Sequence, residues 1–450
     1  MKSKAPLLML LLAACAGPKP ELAPGTTVAV PAGWREGAAR EVSVAPRWWL
    51  QFNDEALNAM VEHAVRNNVD ILQAGAKIEE ARAQFQLARS RSLPDLSGSG
   101  SGGTNRSINA FGQGLDQTQV SGQMAIGYEV DLFGRLSAAT DAERQALRAS
   151  YFARDAMRVS LISAVVSGYI GLRGLDARLE LVNETLQSRS EELAVIRRRA
   201  EAGYAAALDL RQAESAYEAA ARLIPATRLA ITQHENALSI LVGDVPGSVP
   251  RGLSLGQLST LDIPYALPSQ VLRQRPDIAE AEARLVSTDR SLDAARAAFM
   301  PRLQLSASGG VAGSTALINP VTLFSLGGSV LAPLFKGGAL RADAKAASAR
   351  RNQAAFGYRR AVLGAFQEVE NAMAGVVRLR EEQQATERQV AAVSGALATA
   401  RRRYRAGYAS YLDQLDSERS LLEIKLQQVE LQTDRSTNIV SLYQALGGGW

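Results

Sequence analysis

Few side chains in this sequence are suited to covalent or acid–base chemistry. The chain has two histidines, His63 and His234, in different segments, and a single cysteine, Cys15. No phosphate-binding loop, nucleophile motif or cluster of metal ligands accompanies them. The 50 basic and 45 acidic residues are nearly balanced, which gives no indication of a nucleic-acid partner. The sequence therefore argues against an enzyme and predicts neither a metal nor a bound cofactor.

Cys15 directly follows a short secretory signal. After a basic start, an apolar core over residues 7–12 is too short to cross a bilayer as a helix, and two alanines then precede the cysteine. A lone cysteine cannot form an internal disulfide, and its position matches a bacterial lipobox. We expect residues 1–14 to be removed and Cys15 to carry covalent lipid, because several acyl chains anchor a protein firmly. Ala16 replaces the aspartate that signals inner-membrane retention, so the expected anchor is outer-membrane lipid.

The sequence repeats itself after roughly 205 residues. Residues 197–209 and 401–413 both begin with three arginines and continue through Ala-Gly-Tyr to Leu-Asp. So long a period indicates a duplicated structural unit rather than a solenoid. We predict an N-terminal extension over 15–52 and two repeats, over 53–260 and 261–446.

The distribution of proline permits very long helices in both repeats. Proline is absent between Pro94 and Pro225 and after Pro333, and a proline inside a helix costs about 3 kcal/mol. About 64 residues of helix would reach roughly 95 Å. Each half should contain a helix, two strands, a long helix, a Gly-Tyr turn and a return helix, with a kink at Pro225. The predicted long helices are 137–200 and 339–405, and the predicted return helices are 206–242 and 410–446.

Alternation of apolar and polar residues predicts the strands. Val120, Met124 and Ile126 share one face, and Gln123 and Glu129 lie on the other. No segment after the signal has the uninterrupted apolar run of a transmembrane helix, so a membrane part must consist of strands. Four strands cannot close a barrel, and open edges in lipid leave backbone groups unpaired, so several chains must share one barrel, and three chains would give twelve strands. The predicted strands lie at about 95–105, 117–131, 302–313 and 322–332.

Several motifs, spread from Trp48 to about Leu446, resemble those of the TolC/OprM outer-membrane factor family, and most closely its lipidated OprM/CusC/NodT-like branch. Each motif alone is weak, whereas the set is specific. The motifs are Arg47-Trp48-Trp49, Asp131-Leu132-Phe133-Gly134-Arg135, Glu235-Asn236-Ala237-Leu238 with Gly243, Leu272-Arg273-Gln274-Arg275-Pro276-Asp277-Ile278 and Pro333-Leu334-Phe335.

The resemblance implies an α+β membrane protein that forms a TolC-like homotrimer. A 12-stranded β-barrel in the outer membrane, with four strands from each chain, would continue into a long α-helical barrel that projects into the periplasm. It implies no catalysis. The channel would passively conduct substrates delivered by an inner-membrane efflux pump, usually proton-driven in this branch, and a periplasmic adaptor protein.

Two Gly-Tyr turns are the predicted adaptor contacts. Glycine adopts a positive φ without steric cost, so Gly203 and Gly407 should end the long helices. Both turns should lie at the periplasmic tip, which meets the adaptor in the family. A plain helix cap without a partner is the alternative interpretation. The candidate contact residues are Ala202, Gly203, Tyr204, Ala406, Gly407 and Tyr408.

The candidate gate lies just after the second turn. Leu412 and Asp416 are four residues apart and therefore share a helix face. If this face points inward, a trimer forms a leucine ring that can close a pore and an aspartate ring that can select cations. The run 411–416 resembles the inner constriction of the family, and Asp413 would add to its acidic mouth.

The surroundings of the gate leave other interpretations open. The first half has Leu208, Asp209 and Gln212 in the equivalent places and lacks the second aspartate, so its role should be smaller. Asp416 could instead form an ordinary surface ion pair with Arg419, worth about 0–1 kcal/mol. The resemblance also makes three residues before the second turn candidates for tying inner helices to outer ones. These residues are Arg403, Tyr404 and Arg405.

Two other classes of protein share parts of this plan. A type I protein-secretion duct has the same fold, and the lipobox and the Leu272–Ile278 motif favour efflux over it. A periplasmic adaptor lipoprotein also combines a lipid anchor with a helical hairpin. An adaptor has one hairpin and many soluble strands, whereas this sequence duplicates a strand hairpin and a helix hairpin.

Overall fold

The computed structural model describes residues 19–36, 45–108, 111–259, 267–315 and 317–448. Cys15 and the predicted signal segment 1–14 lie outside the described residues. The described chain contains nine α-helices, two short 3-10 helices and four strands, and the two halves follow the same order of elements.

The first half begins with a 3-10 helix and contains five α-helices and two strands. Its elements are the 3-10 helix Trp48–Phe52, α1 (Glu55–Asn67), α2 (Val69–Ser90), β1 (Asp95–Ile108), β2 (Gly114–Val130), α3 (Arg135–Glu201), α4 (Ala207–Ala221) and α5 (Leu223–Val242).

The second half has four α-helices and two strands. Its elements are the 3-10 helix Leu255–Gln257, α6 (Pro268–Gln274), α7 (Pro276–Ala297), β3 (Arg302–Ser314), β4 (Val321–Leu331), α8 (Ala339–Arg405) and α9 (Tyr411–Ala445). The long helices α3 and α8 have 67 residues each, and α2 and α7 have 22 each.

The return segment of the first half differs from the single helix predicted over 206–242. It forms two helices, α4 and α5, which meet at Arg222. The break lies three residues before Pro225, because proline has no N–H to donate to the carbonyl of Ala221 and its ring crowds that carbonyl. The return segment of the second half contains no proline and forms one helix of 35 residues, α9.

The alternation predicted four strands, and in the structure these form one antiparallel sheet in the order β1-β2-β3-β4. The register places the apolar residues of neighbouring strands side by side: Leu96 pairs with Ile126, Ile126 with Ala307, and Ala307 with Leu326. On the opposite face Ser308 and Ser325 hydrogen-bond at 2.9 Å. The sheet therefore has one apolar face and one polar face.

One compact unit comprises the described residues up to Val28 together with Ala76–Phe152 and Ala279–Ala361. It contains the sheet and parts of α2, α3, α7 and α8, whose packing relies on alanines such as Ala142 and Ala355. The N-terminal segment is fixed to this unit, since Lys19 pairs with Asp289 at 2.7 Å and the buried Arg351 donates to the carbonyl of Glu21 at 2.7 Å.

The other compact unit comprises the described residues within Ala29–Gly75, Ala153–Ile278 and Val362–Trp450. Trp48 is buried and stacks on Tyr443 at 4.9 Å between ring centroids. Asp54 caps α1 and accepts a hydrogen bond from the hydroxyl of Tyr169 at 2.8 Å. Burial raises the pKa of Tyr169 to about 12. A stretch of α3 is apolar and long enough to cross a membrane, yet half of it is buried here, with Val165 in the core.

The Leu272–Ile278 motif has a structural role in this second unit. Arg275 is buried and donates to the carbonyl of Ala445, the last residue of α9, at 2.9 Å. Its guanidinium also pairs with Asp277 at 2.7 Å and Glu368 at 2.6 Å. The motif thereby joins α7 and α8 to the end of α9, where positive charge is favourable.

Candidate channel gate

Each long helix ends in a turn from which a return helix begins. We call residues 202–206 the first reversal and residues 406–410 the second reversal. Gly203 has a φ of 78° and Gly407 a φ of 81°, in the left-handed region that glycine adopts at little cost. The following amide closes each turn, since Tyr204 N–H bonds the carbonyl of Arg199 at 2.7 Å and the second reversal has the equivalent bond at 2.8 Å. Both glycines therefore end their helices as expected.

The predicted adaptor-contact side chains lie on the surface of the reversals. Tyr204 is 85% exposed and Tyr408 is 78% exposed, and Ala202 and Ala406 are exposed beside them. Two exposed tyrosines on tight turns offer apolar rings with a polar end, which suits contact with another protein. Their role as contacts stays a prediction.

Below the reversals, four helix ends share one apolar cluster. Small residues of α4 allow the helices to approach closely, and Tyr404 of α8 lies 5.6 Å from Tyr411 between ring centroids. The buried members are Leu193, Ile196, Ala213, Ala216, Tyr411 and Leu415. The cluster fixes the first turns of α9, which carry the candidate gate.

The candidate gate residues occupy the exposed side of α9. Leu412 is 44% exposed, and the Asp416 side chain is 62% exposed, whereas Leu415 between them is fully buried. Leu412 and Asp416 thus share a face directed away from the apolar cluster. Asp416 also lies 3.6 Å from Arg419, an exposed pair of the kind that contributes little to stability.

Asp413 has a different environment from Asp416. Its carboxylate accepts hydrogen bonds from the backbone N–H and the hydroxyl of Ser410, both at 3.0 Å, and forms a capping box at the start of α9. This arrangement satisfies free N–H groups at the helix terminus. Asp413 is therefore engaged in helix capping, while the Asp416 carboxylate extends from the exposed face.

The three candidate tying residues also differ from one another. Arg403 donates to the carbonyl of Tyr408 at 3.4 Å and so braces the second reversal. The Tyr404 side chain lies near Arg199 of α3, and burial raises the pKa of Tyr404. Arg405 is exposed in the last turn of α8, where a positive charge is favourable.

A buried polar cluster lies on the other side of α9 from the gate residues, at Gln414 and Glu418. The Glu418 side chain is 5% exposed and is bound by two arginines, Arg401 of α8 at 2.9 Å and Arg189 of α3. Gln414 donates to Glu418 at 3.0 Å and also to Glu192 of α3. We call these five residues the buried cluster.

The two carboxylates of the buried cluster are close enough to influence each other's ionisation. Burial, together with the neighbouring charge of Glu418, raises the pKa of Glu192 from its usual 4.5 to about 7. Burial also raises the pKa of Tyr411, next to the same carboxylates. A proton on Glu192 removes this repulsion and allows a hydrogen bond to Glu418.

Sequence reasoning did not identify the buried cluster. A signal was present, because Tyr411, Gln414, Leu415 and Glu418 have the spacing of one buried helix face. Glutamine and glutamate at core positions of such a face indicate a buried polar network.

Comparisons with known proteins identify a family and similar folds for the whole chain. A family model described as outer membrane efflux protein matches the chain twice, over residues 60–244 and 267–448. The cation efflux system protein CusC of Escherichia coli O6:H1 is 33% identical over 408 residues, which are 90% of this chain and 88% of that protein. The antibiotic efflux pump outer membrane protein ArpC of Pseudomonas putida is 31% identical over 442 residues, 94% of this chain and 90% of ArpC. A crystal structure of CusC gives a TM-score of 0.85 at 30% identity and covers 96% of this chain and 99% of its own.

Proposed function

Because this chain belongs to the outer membrane efflux protein family, we propose that three copies of it form one export channel. The family consists of outer-membrane channels of efflux systems and not of enzymes, which agrees with the near absence of histidine and cysteine. The copies contribute four strands each to a twelve-stranded barrel, continued by a barrel of long helices.

The observation that supports a barrel shared between copies is the edge of the sheet. In the described sheet, β1 and β4 are each paired on one side only, and the apolar row of Leu96, Ile126 and Leu326 lies on one face. An apolar face suits lipid, but open strand edges in lipid leave backbone groups without partners. Pairing β4 of one copy with β1 of the next removes every edge, and bacterial barrels need at least eight strands.

The relatives support the assignment of partners. CusC is named as part of a cation efflux system and ArpC as part of an antibiotic efflux pump. We infer that this chain receives its substrates from an inner-membrane pump through a periplasmic adaptor. The exposed Tyr204 and Tyr408 on the two reversals are the proposed contacts for the adaptor.

The lipid anchor and the gate complete the proposal. Lipid on Cys15 holds each copy in the outer membrane. The exposed face of α9 turns toward the channel axis, so that three Leu412 side chains close the pore and three Asp416 carboxylates form a ring selective for cations. The pump supplies the energy, and the channel conducts passively.

Single-channel conductance of the purified protein in a planar bilayer tests the proposal. The wild type should give small, rarely open currents, and the double variant Leu412→Ala/Asp416→Ala should give larger ones. The matched control is Leu208→Ala/Gln212→Ala at the equivalent positions of the first half, which should resemble the wild type. Equal currents from all three proteins would contradict the gate and leave the channel standing.

A folded sample without conductance would contradict the channel itself. Mobility on a gel without boiling establishes that the sample is folded, because a barrel trimer should migrate as one species and separate into chains on heating. A sample that migrates as single chains before heating would contradict the trimer.

A further inference from the structure

Arg435 is an arginine of α9 that lacks a carboxylate partner in the described part of the chain. It is half-buried, and no described aspartate or glutamate lies within ion-pair distance of its guanidinium. Elsewhere in the same unit, the buried Arg275 pairs with Asp277 at 2.7 Å. A charged group that leaves water without a partner loses hydration that nothing replaces. The surroundings of Arg435 thus lack the negative charge that such a side chain normally meets.

The neighbouring charges make this position still less favourable. Burial, together with the like charge of Arg380 on α8, lowers the pKa of Arg435. Glu387 of α8 has the opposite effect, but it is the weakest of the three influences, and its carboxylate already accepts a hydrogen bond from Gln383 at 2.7 Å. Arg380 also has no ion pair with a described carboxylate. The two arginines therefore lie near each other with too little negative charge between them.

A small cavity adjoins Arg435. Its volume is about 60 Å³, which is room for about four water molecules. Gln432 in its lining is exposed, so a dissolved ion can enter. A cavity of this size admits a small ion and excludes a larger organic ligand. Its polar lining consists of Ser259, Gln432, Arg435 and Ser436, and its apolar lining includes Phe52 and Ile439.

The polar lining has hydrogen-bond donors to spare. Ser259 accepts a hydrogen bond from Asn53 at 3.1 Å and keeps its own O–H to donate. Gln432 uses one amide N–H on the carbonyl of Leu255 at 3.3 Å and retains the other. The guanidinium of Arg435 adds up to five N–H groups and a positive charge. A hydroxyl, an amide and a guanidinium can thus donate together to one oxyanion.

The corresponding place in the first half is balanced in charge. Asp176 occupies the position equivalent to Arg380, 204 residues earlier. Both Asp176 and Glu235 pair with Arg251 there. The first half therefore supplies carboxylates from its own chain, whereas the second half has two arginines beside an open cavity.

We propose that this cavity is a binding site for a small inorganic oxyanion such as phosphate or sulfate. The anion accepts hydrogen bonds from Arg435, Ser259 and Gln432, and its charge offsets the repulsion between Arg435 and Arg380. It thereby joins the segment that follows α5 to α9. The site goes beyond the proposed channel function and does not depend on the gate.

The test is isothermal titration calorimetry of the detergent-solubilised full chain with sodium phosphate, compared with sodium chloride at equal ionic strength. Phosphate should give a saturable heat with one anion per chain, and chloride should not. Arg435→Met should weaken phosphate binding at least about tenfold, because it removes the charged donor. Arg380→Met should weaken it about two- to fivefold, since Arg380 contributes charge alone. Arg228→Met, at an exposed arginine of α5, should bind as the wild type does.

Further variants separate loss of binding from loss of structure. Arg435→Met removes the repulsion from Arg380, so without phosphate it should unfold at a temperature no lower than the wild type. Arg435→Lys keeps the charge but not the planar donors, and its affinity should lie between those of the wild type and Arg435→Met. Ser436→Met keeps both arginines and fills the cavity, so it should also lose binding.

Phenyl phosphate identifies the source of the anion, because it carries the same group on a larger body. It should bind at least about tenfold more weakly than inorganic phosphate if the cavity takes the free ion. Equal binding of the two would overturn the assignment to a free anion.

The remaining outcomes decide whether a site exists. Phosphate also stabilises proteins in general because it is excluded from their surfaces. A rise in unfolding temperature that is the same in the wild type and Arg435→Met would show only this general effect and would overturn the proposal. The absence of a saturable heat, or an equal loss of binding in Arg228→Met, would overturn it as well. None of these results bears on the channel or its gate.

Discussion

The two reversals have nearly identical backbone conformations, but the side chains packed beneath them differ. Gly203 and Gly407 have φ angles of 78° and 81° and equivalent hydrogen bonds. At the first reversal Glu214 is 31% exposed and pairs with two exposed arginines, Arg197 and Arg211, whereas at the second Glu418 is 5% exposed and is held by Arg189 and Arg401. The two halves therefore share the turn, whereas the second half has a buried ionic network beneath it.

The aromatic residues show the same asymmetry. Tyr404 and Tyr411 pack against each other at the second reversal, and the equivalent positions of the first half hold Ala200 and Ala207. The geometry of each turn is thus set locally by its glycine. The function of a reversal depends instead on which helices pack beneath it. The second reversal is the one equipped to fix the orientation of its return helix.

The largest effect on stability should come from removing the side chain of Tyr411, the buried aromatic residue that directly follows the second reversal. Tyr411 is 2% exposed in the apolar cluster, so Tyr411→Ala should lower the local free energy of unfolding by about 3 kcal/mol or more. Leu208→Ala, at a residue that is 65% exposed in the first half, should change it by less than about 0.5 kcal/mol. Hydrogen exchange of the amides in the first turns of α4 and α9 measures both. Equal effects of the two substitutions would show that the packing beneath the two reversals does not differ as described.

The second effect is a pH dependence confined to the second reversal. Glu192 has a pKa raised in the fold from 4.5 to about 7, so the stability it contributes is complete below about 4.5 and is lost as the pH rises through about 7. Amide exchange in the first turns of α9, corrected for the intrinsic pH dependence, should accelerate by about tenfold over this range. The start of α4 should show no such change, and Glu192→Gln should abolish it. Acceleration at both helices would contradict the assignment to Glu192.

A third prediction concerns what the reversals share. Gly203→Ala and Gly407→Ala should each cost about 1 kcal/mol, because a side chain at positive φ crowds the backbone. The two costs should agree within about 0.5 kcal/mol, since the local geometry is the same. Thermal unfolding of the detergent-solubilised protein compares them. A much larger cost at one glycine would indicate that its turn is strained by the helices beneath it.

The smallest effect should be the loss of the exposed ion pair. Arg197→Ala removes one of the two exposed arginines that pair with Glu214, leaving Arg211 at 2.8 Å, and should cost at most about 0.5 kcal/mol, since exposed pairs contribute little. Arg401→Ala should cost more, because Glu418 remains buried with one arginine fewer. Thermal unfolding of the two variants gives the difference in unfolding free energy between loss of the exposed ion pair and loss of the buried one. Identical costs would mean that Glu418 reaches water as easily as Glu214.

Much of the fold could be predicted from patterns with a local cause. Strand alternation and proline spacing gave the order of strands and long helices, and the predicted helix 339–405 has the same bounds as α8. The glycines of the reversals were recognised because a positive φ strongly favours that residue. The return helix of the first half was predicted as one helix, since a kink and a break both follow from Pro225 and the surrounding packing decides between them.

The buried cluster could not be predicted with the same ease. Arginine and glutamate on a helix are usually solvated, and only the packing of α3, α8 and α9 against one another buries Glu418. The attachment of the N-terminal segment was missed for a similar reason. Lys19 and its partner Asp289 are 270 residues apart, and no local pattern links them.

The register of the sheet has a consequence for the whole assembly. Within the first hairpin Asp95 pairs with Gly127, and within the second Arg302 pairs with Leu331. These two pairs occupy equivalent positions at the base of the hairpins. The junction between hairpins can therefore be compared with the junction expected between copies.

At the junction inside the chain, Gly127 pairs with Ser306, four residues beyond the first residue of β3. The same stagger between copies would pair Leu331 with Ser99 of the neighbouring copy, four residues beyond the first residue of β1. The stagger and the tilt of the strands together determine the diameter of a closed barrel. The four-residue offset between the two hairpins of one chain would therefore set the width of the pore. Each half of the chain would thus add one hairpin to the barrel with the same stagger relative to the next hairpin.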